Sequence, residues 1–509
     1  MDEIFNIDTS PPIPALPMLK DKTRIDVRYA VTSPYTTIHI FWDRQTSELK
    51  YEVEEPILTA QEKDILDKIE SGMMELINVN VVVEKTQEAV LEYLDKTARL
   101  LINELNLKVP ESLYKNIFYY LYRDFVGMNR VDALMNDYFI EDIECNGVNS
   151  PIFIVHRIYR NIRTNVTFDS IEELASFVEK LAQRSGRYIS YASPILDGSL
   201  PDGSRVNATY TTDISSKGPT FTIRKFTTQP WTPIQLISFN TLSPEMLAYF
   251  WMLVQYKSNI LIAGGTSSGK TTLLNAISFF IPPEARVVSI EDTRELNLPR
   301  ENWLPSVSRS AIGTGTIGEV DLFKLLKNSF RQNPDYVIVG EVRGQEAFVL
   351  FQGMASGHSS LSTMHADSVD TVVKRLETPP IELSPTLINT LDAVAIMTHA
   401  IVKKEQTRRL SSIVEIINVS PEGIAMTNTP FVWNPAEDRF YFKKDSKVFD
   451  KIKRKYGLTD EQLQQEFSVR TKLLFEMYRR KIYDFNEIQR VVNEYYKNPE
   501  KIIAEFGIK

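Results

Sequence analysis

The sequence has almost no cysteine. Cys145 is the only one among 509 residues, so neither an intrachain disulfide nor a cysteine zinc cluster can form within the chain. Such a composition is typical of proteins in a reducing cytosol. We expect Cys145 to be a buried core residue, because an unpaired cysteine packs as a small apolar side chain.

Long apolar runs are also missing. The longest, residues 246–254 (MLAYFWMLV), is about half of the ~20 residues that a membrane-spanning helix needs. Residues 1–10 (MDEIFNIDTS) have neither the basic start nor the apolar centre of a secretory signal. We therefore expect a cytoplasmic protein, at most attached to the inner face of the cell membrane.

Charge of one sign is not in large excess. The chain has 58 Lys and Arg against 66 Asp and Glu, a net charge of −8, which does not supply the broad positive field of a nucleic-acid-binding protein. At 43% hydrophobic and 24% charged residues, the composition is that of a globular protein rather than a disordered one. The length predicts about three domains.

The order of strand and helix patterns predicts an α/β protein. Residues 1–100 form a predicted N-terminal extension, in which β-branched and aromatic residues at 27–42 predict strands and helical spacing starts after Thr59. Residues 101–226 mix strand patterns with a capped helix predicted at 170–185. The first half therefore contains two small modules.

The second half has a different pattern. Closely spaced prolines at 227–233 indicate a linker, which we place at 227–240. Residues 241–509 alternate strand and helix patterns, as expected for a parallel sheet, and end in a helical tail. Thr459 and Gln462 have the spacing of a capping box at the start of that tail.

A glycine-rich motif lies at residues 264–271 (GGTSSGKT). It matches G-x-x-x-x-G-K-[ST] at each fixed position, follows a strand pattern and precedes a helical one. In such a loop the backbone N–H groups surround a phosphate, the lysine bridges two phosphates and the hydroxyl binds Mg²⁺. We therefore predict ATP and Mg²⁺ as cofactors. The predicted nucleotide-binding residues are Gly264, Gly265, Thr266, Ser267, Ser268, Gly269, Lys270, Thr271 and Thr272.

Carboxylates follow two further predicted strands. Glu341 comes after the apolar strand at 336–339, and we predict that it binds Mg²⁺ together with Thr271. Residues 291–295 (EDTRE) are either a solvated loop or a second part of the site, and their position after a strand of the same sheet favours the second interpretation. Arg343 is either a phosphate sensor or the partner of a nearby carboxylate.

Two of the five histidines, His358 and His365, are seven residues apart beside glycine and hydroxyl residues. They could be buried structural residues, zinc ligands or donors to the γ-phosphate. Neither helical nor hairpin spacing brings them together as a zinc pair, so the γ-phosphate role is favoured.

In their order along the chain, the P-loop, the EDTRE motif, the strand that leads to Glu341 and the two-histidine motif resemble those of the secretion ATPases. These ATPases serve type II and type IV secretion, type IV pili and the archaeal swimming filament. Residues 140–159 resemble archaeal members, and the resemblance covers roughly residues 100–414. The chain departs from the bacterial members that carry a tetracysteine zinc module. The family implies a PAS-like N-terminal domain over a RecA-like C-terminal P-loop domain, and a ring of six subunits.

The resemblance also implies roles by motif position. Glu295, the last acid of EDTRE, resembles the general base that activates water, and Glu341 resembles the acid that organises Mg²⁺. His358 and His365 match the histidine motif that contacts the γ-phosphate.

Two arginines of the first half match those that the family's N-terminal domain offers to nucleotide. They are Arg205, in residues 200–205 (LPDGSR), and Arg224, in residues 222–224 (TIR). Guanidinium groups of this kind stabilise charge on the transferring phosphoryl group. Judged from its Pro-Asp-Gly turn alone, Arg205 could equally be structural.

The proline-rich start and the helical tail are most similar to the archaellum motor ATPases, although archaeal adhesive-pilus and secretion ATPases share every catalytic motif. The implied partners are further copies of the chain in a homohexamer, a polytopic membrane platform protein and an accessory regulatory ATPase. Nucleic acid is not expected.

Other interpretations stay open at this point. Residues 443–455 (KKDSKVFDKIKRK) hold most of the local positive charge and are either a solvated surface or a site for anionic lipid or an acidic partner. A RecA-like nucleic-acid translocase would use the same core, but the net charge is against it. A nucleotide-gated scaffold without turnover would not need both Glu295 and Glu341.

Overall fold

A computed structural model describes residues 7–9, 11–14, 16–17, 21–76, 87–309, 318–402, 405–443 and 445–508. Most of residues 1–10, where no secretory signal is predicted, and residues 77–86 of the predicted helical stretch lie outside these ranges. Within them, no helix has both the length and the apolar character that crossing a bilayer requires. The chain divides into two units, Met1–Phe226 and Thr227–Lys509.

The predicted α/β fold class is confirmed, since each unit combines helices with a large sheet. The first unit's sheet is antiparallel except where β3 and β6 meet. Across the sheet, its described strands are β1 (Asp26–Thr32), β2 (Thr36–Asp43), β3 (Glu48–Glu54), β6 (Arg160–Thr167), β5 (Pro151–His156), β4 (Ile140–Cys145), β9 (Thr220–Arg224), β8 (Arg205–Thr209) and β7 (Ile195–Ser199).

Helices of the first unit pack on this sheet and on each other. They are α1 (Ala60–Leu76), α2 (Gln87–Glu104), α3 (Glu111–Leu121), α4 (Asp132–Asn136) and α5 (Ile171–Arg184). The helices α1–α3 share an apolar core around Ile69 and Ile117. Helix α5 starts where the sequence predicts, because the Ser170 hydroxyl accepts the Glu173 N–H at 3.0 Å. Cys145 is buried, as predicted.

One sheet crosses the predicted boundary at residue 100. The predicted extension contributes β1–β3, and β3 pairs with β6 of the predicted PAS-like stretch. The phenols of Tyr29 and Tyr51 donate hydrogen bonds of 2.7 and 2.6 Å to Oδ2 of the buried Asp137. Because strand pairing and buried hydrogen bonds join these stretches, the structure has one unit where the sequence predicts two modules.

The second unit is built on a sheet that is parallel from β12 to β15 and antiparallel beyond. Across the sheet, its described strands are β12 (Trp303–Val307), β11 (Val287–Glu291), β13 (Tyr336–Val339), β14 (Ser359–Met364), β10 (Ile260–Gly264), β15 (Ala393–Val402), β16 (Glu405–Val419), β17 (Ala425–Asn434) and β18 (Arg439–Phe442). The sequence pattern does not predict the antiparallel extension.

Helices cover both faces of this sheet. They are α6 (Pro233–Ser238), α7 (Pro244–Gln255), α8 (Lys270–Ser278), α9 (Leu322–Ser329), α10 (Glu346–Ala355), α11 (Val369–Glu377), α12 (Pro385–Ile388), α13 (Lys447–Tyr456), α14 (Asp460–Arg479), α15 (Phe485–Lys497) and α16 (Pro499–Phe506). In β10, Ile260 and Ile262 face one apolar core while Leu261 and Ala263 face the other. Such two-sided burial explains the continuous apolar strands.

A helix occupies part of the predicted linker at 227–240. Thr232 and Gln235 form a capping box, and Pro233 fills the first helical position. Helix α6 therefore begins at Pro233, inside the stretch predicted as a linker. The capping box predicted at Thr459 and Gln462 is also present.

The long apolar run of residues 246–254 is a core helix. Every one of these residues in α7 is buried, in a cluster that includes side chains of α14 and α15. Trp251 stacks on Phe280 with ring centroids 4.9 Å apart, and its Nε1 donates to the Tyr496 hydroxyl at 3.0 Å. A helix that is apolar all round suits this central position.

Two carboxyl groups meet where α1 approaches the π-helical turn Tyr122–Val126. Burial, with the negative charge of Asp124, raises the pKa of Glu70 to about 8; Asp67 adds to this effect and Arg123 opposes it. Between pH 4.5, the ordinary value, and about 8, the folded protein therefore binds a proton that the unfolded chain has lost. Stability falls as the pH rises through this window.

We expect Glu70→Gln to raise the Tm of the protein above about pH 8, because the amide cannot ionise beside Asp124. Below about pH 4.5 the variant and the wild type should melt together. Thermal melts across this pH range measure the difference, with the exposed Glu75 of the same helix, as Glu75→Gln, for a control. A Tm advantage that is independent of pH would contradict the assignment.

Candidate nucleotide-binding active site

The candidate site lies along one edge of the second sheet. Strand β10 is flanked by β14 and β15, while β13 and β11 follow beyond β14, and all five are parallel. Since parallel strands have their carboxyl ends at the same edge, the groups that follow them come together there. These groups are the P-loop after β10, the acidic motif after β11, Glu341 after β13 and His365 after β14.

The P-loop makes a close turn into α8. Gly269 has a φ of 96°, a left-handed conformation that favours glycine. A Cβ added at Gly264 would lie 2.5 Å from the Ser268 hydroxyl oxygen and 2.6 Å from the backbone oxygen of Met397. A Cβ added at Gly265 would have no atom within 4 Å. The loop thus requires glycine at 264 and 269, for different reasons.

The Lys270 ammonium lies within the loop. Its Nζ donates to the backbone oxygens of Gly264 at 3.1 Å and Gly265 at 2.9 Å. Burial lowers the pKa of Lys270, and the negative charges of Glu341 and Glu295 oppose this shift. Both carboxylates are therefore near enough to act on the lysine, and the structure brings these three predicted residues together.

Oxygen donors suitable for Mg²⁺ lie at the same edge. Thr271 is in the first turn of α8, and Glu341 lies two residues beyond the end of β13. Hydroxyl and carboxylate oxygens are ligands that Mg²⁺ prefers, so this donor set fits the ion. His365 lies beside it, with Nε2 4.0 Å from Glu341 Oε1.

His358 is at the opposite end of β14. It precedes Ser359, the first residue of the strand, whereas His365 follows Met364, the last. The six-residue strand is about 20 Å long, and the His358 ring packs edge-on against Phe330 at 4.9 Å between centroids. Neither the predicted γ-phosphate contact of His358 nor a zinc ion shared by the two histidines fits this placement, because the strand separates them.

Arg343 has a carboxylate partner at this edge. It forms an ion pair with Asp292, the second acid of the EDTRE motif. The Ser308 hydroxyl donates to the same carboxylate, at 2.6 Å from Oδ1. This ion pair fits the interpretation of Arg343 as the partner of a nearby carboxylate.

Two residues hold the backbone at Glu295. Glu291 is only 2% exposed, and its Oε1 accepts the N–H groups of Glu295 and Leu296, each at 2.9 Å. Asn275 of α8 donates from Nδ2 to the backbone oxygen of Glu295 at 3.3 Å. Burial raises the pKa of Glu291 to about 7. The sequence pattern groups Glu291 with the other acids of its motif and does not single out Asn275.

Arg205 and Arg224 are neighbours in the first unit. They face each other in the register of β8 and β9. Arg205 donates to Asp197 through Nε at 3.2 Å and Nη2 at 3.0 Å, and Arg224 donates from Nε to Asp142 at 3.3 Å. The arginine side chains are 45% and 62% exposed. Each has a carboxylate partner, and the two arginines lie at neighbouring, partly exposed positions of this unit.

The basic segment at 443–455 forms α13 in most of its described part. Three of its lysines form ion pairs with nearby aspartates: Lys447 with Asp445 and Asp450, Lys451 with Asp392, and Lys453 with Asp450 and Asp460. These pairs offset much of the positive charge, which favours the solvated-surface interpretation over lipid binding.

Comparison with known proteins identifies the family of this chain. Residues 131–436 match the type II/IV secretion system protein family. The chain belongs to this family, whose members are ATPases. An uncharacterized protein of Methanocaldococcus jannaschii is 37% identical over 508 residues, covering 94% of this chain and 90% of that protein. The type IV secretion system protein PtlH of Bordetella pertussis is 35% identical over 237 residues, covering 42% of this chain and 68% of PtlH.

Solved structures of ATPases are also similar to this secretion-family chain. The VirB11 ATPase of Brucella suis is 23% identical with a TM-score of 0.29, and the match covers 56% of this chain and 95% of that one. The ATPase DotB of Yersinia pseudotuberculosis is 16% identical with a TM-score of 0.39, covering 73% and 92%.

We expect Gly264→Ala to weaken ATP binding by about tenfold or more, because its Cβ would overlap the Met397 oxygen that the β10–β15 pairing holds in place. Ser71→Ala, at an exposed position of α1 in the first unit and outside the predicted site, is the control and should bind ATP as the wild type does. Titration with a fluorescent ATP analogue measures both. Equal affinities for the two variants would contradict the close approach at Gly264.

Proposed function

We propose that this secretion ATPase is a hexameric motor that hydrolyses Mg²⁺-ATP to power the assembly or rotation of an archaeal type IV pilus-like filament, the archaellum. It works at the inner face of the cell membrane on a polytopic platform protein, together with an accessory regulatory ATPase. The observation that carries the enzymatic part is the convergence of Lys270, Glu295 and Glu341 at one sheet edge. Membership of the secretion ATPase family supports the motor part.

Nucleotide binding uses the P-loop. Its backbone N–H groups and the start of α8 hold the β-phosphate, and Lys270 exchanges its loop carbonyl partners for β- and γ-phosphate oxygens. Thr271 and Glu341 would hold Mg²⁺, which would neutralise charge on the phosphates.

Hydrolysis uses Glu295. Its carboxylate accepts a proton from the water whose oxygen attacks the γ-phosphorus, while the bond to the β–γ bridging oxygen breaks and ADP leaves. The exposed pair Arg205 and Arg224 supplies positive charge to the phosphoryl group at a subunit boundary of the ring. His365, beside Glu341, is a further donor to the γ-phosphate.

Force arises from a hinge motion between the two units, with residues 227–233 as the hinge. The acidic loop contacts this segment, because Asn297 Nδ2 donates to the backbone oxygen of Thr228. Because Asn297 is two residues after Glu295, a displacement of Glu295 is transmitted to the hinge through the backbone between them and the Asn297 hydrogen bond.

We expect Lys270→Ala to abolish nucleotide binding and Glu295→Gln to retain binding but lose turnover, because only the first removes a phosphate contact. Equilibrium nucleotide titration and steady-state phosphate release separate the two effects. Wild-type turnover in Lys270→Ala, or joint loss of binding and turnover in Glu295→Gln, would contradict these roles.

We also expect ATP turnover per subunit to rise with protein concentration as a hexamer forms. The Arg205→Ala variant should have a lower turnover than the wild type but form the hexamer to the same extent. Light scattering after size exclusion, with a non-hydrolysable ATP analogue, reports the assembly. A monomer that hydrolyses at the full rate would exclude the ring mechanism. Turnover stimulated by DNA or RNA would instead favour the nucleic-acid translocase.

A further inference from the structure

The loop that carries Glu295 is held on its amide side by a carboxylate from β11. Oε1 of Glu291 accepts two consecutive backbone N–H groups, those of Glu295 and Leu296, at 2.9 Å each. Glu291 is buried against the neighbouring strand, since a Cβ added at Gly340 would lie 3.1 Å from its Cγ. With 2% of its surface exposed, Glu291 itself cannot reach a substrate.

The carbonyl side of Glu295 is held from the P-loop helix. Asn275 follows Thr271 by one helical turn and is 3% exposed. Its Nδ2 donates to the backbone oxygens of Thr271 and Glu295, each at 3.3 Å, while its Oδ1 accepts the Asn297 N–H at 3.0 Å. One side chain therefore connects the Mg²⁺-facing turn of α8 to the acidic loop.

We propose that Glu291 and Asn275 are positioning residues which clamp the backbone of Glu295 from both sides and so aim its carboxylate at the water above the P-loop. This inference rests on the proposed role of Glu295 as the base. Fixing both the N–H and the C=O of one residue leaves only its side-chain rotations, and a displacement of about 1 Å in such a group can cost roughly a hundredfold in rate.

The chemistry at positions 291 and 295 differs, which makes the clamp testable. At 291 the required group is a buried acceptor of two N–H bonds, and the amide oxygen of glutamine provides it. At 295 the required group is a base, which glutamine cannot replace. The same Glu→Gln change should therefore be tolerated at 291 and not at 295.

The experiment compares kcat, KM and nucleotide affinity in the full-length protein. We expect Glu291→Ala and Asn275→Ala each to lower kcat by about 10- to 100-fold with nucleotide affinity little changed, and Glu291→Gln to retain most of the wild-type kcat. If Glu291→Gln is as inactive as Glu291→Ala, or if Glu291→Ala keeps the full kcat while Glu295→Gln is inactive, the clamp is overturned.

Double variants test whether both residues act through Glu295. In a Glu295→Gln background, Glu291→Ala should lower the residual turnover by no more than about twofold, because its target is already lost. A full, additive loss would overturn the proposal. If Glu295→Gln itself retains wild-type turnover, the proposed base is wrong, which is a different result from a failed clamp.

Loss of stability is controlled with a second buried carboxylate. Asp132 in the first unit is 6% exposed and accepts the Met128 N–H at 2.9 Å and the Asn136 amide at 3.0 Å. Asp132→Ala should lower the Tm comparably to Glu291→Ala but keep kcat at a temperature where both are folded. A matching loss of kcat in Asp132→Ala would show a general stability effect and would overturn the positioning role.

Discussion

Parallel pairing between β10 and its neighbours determines where each group of the candidate site can lie. The residues of β10, β11, β13 and β14 are buried on both faces, and the one charged side chain among them, Glu291, is at the end of its strand. Because these four strands run in the same direction, the residues that follow them lie at one edge of the sheet. The residues that precede them lie at the opposite edge. For this reason His365 and His358 lie at opposite ends of β14.

Local patterns predict the parts of the chain whose signals are local. The P-loop, the strand before it and the caps at Ser170 and Thr459 each depend on residues within a few positions of one another. The joining of the extension to the rest of the first unit does not, because nothing near Tyr29 or Tyr51 reveals that their hydroxyls share Asp137. Such contacts bridge about a hundred residues, and a single sequence carries no signal for them.

The site shows the same division. Motif position is enough to select Glu295 and Glu341 as candidate site residues. The acids within EDTRE also differ in burial, and their burial depends on the neighbouring strand. The loop after β13 uses the device found after β11: Glu346, 7% exposed, accepts the N–H groups of Arg343 and Gly344 at 2.7 Å each. At the end of each strand or beyond it, a buried carboxylate, Glu291 or Glu346, accepts backbone N–H groups of the loop. A more exposed carboxylate, Glu295 after β11 or Glu341 after β13, lies nearby. Sequence separates these two kinds of acid poorly, because both are glutamate.

The contact between α7 and the last helices has a consequence for synthesis. Trp251 donates to Tyr496, and the Tyr496 hydroxyl donates to the backbone oxygen of Phe280 at 2.6 Å. Residues 1–226 can close their core while the ribosome is still translating the remainder. The core around α7 cannot close until residues 485–506 have emerged, so until then part of its apolar surface lacks the side chains that cover it in the folded protein.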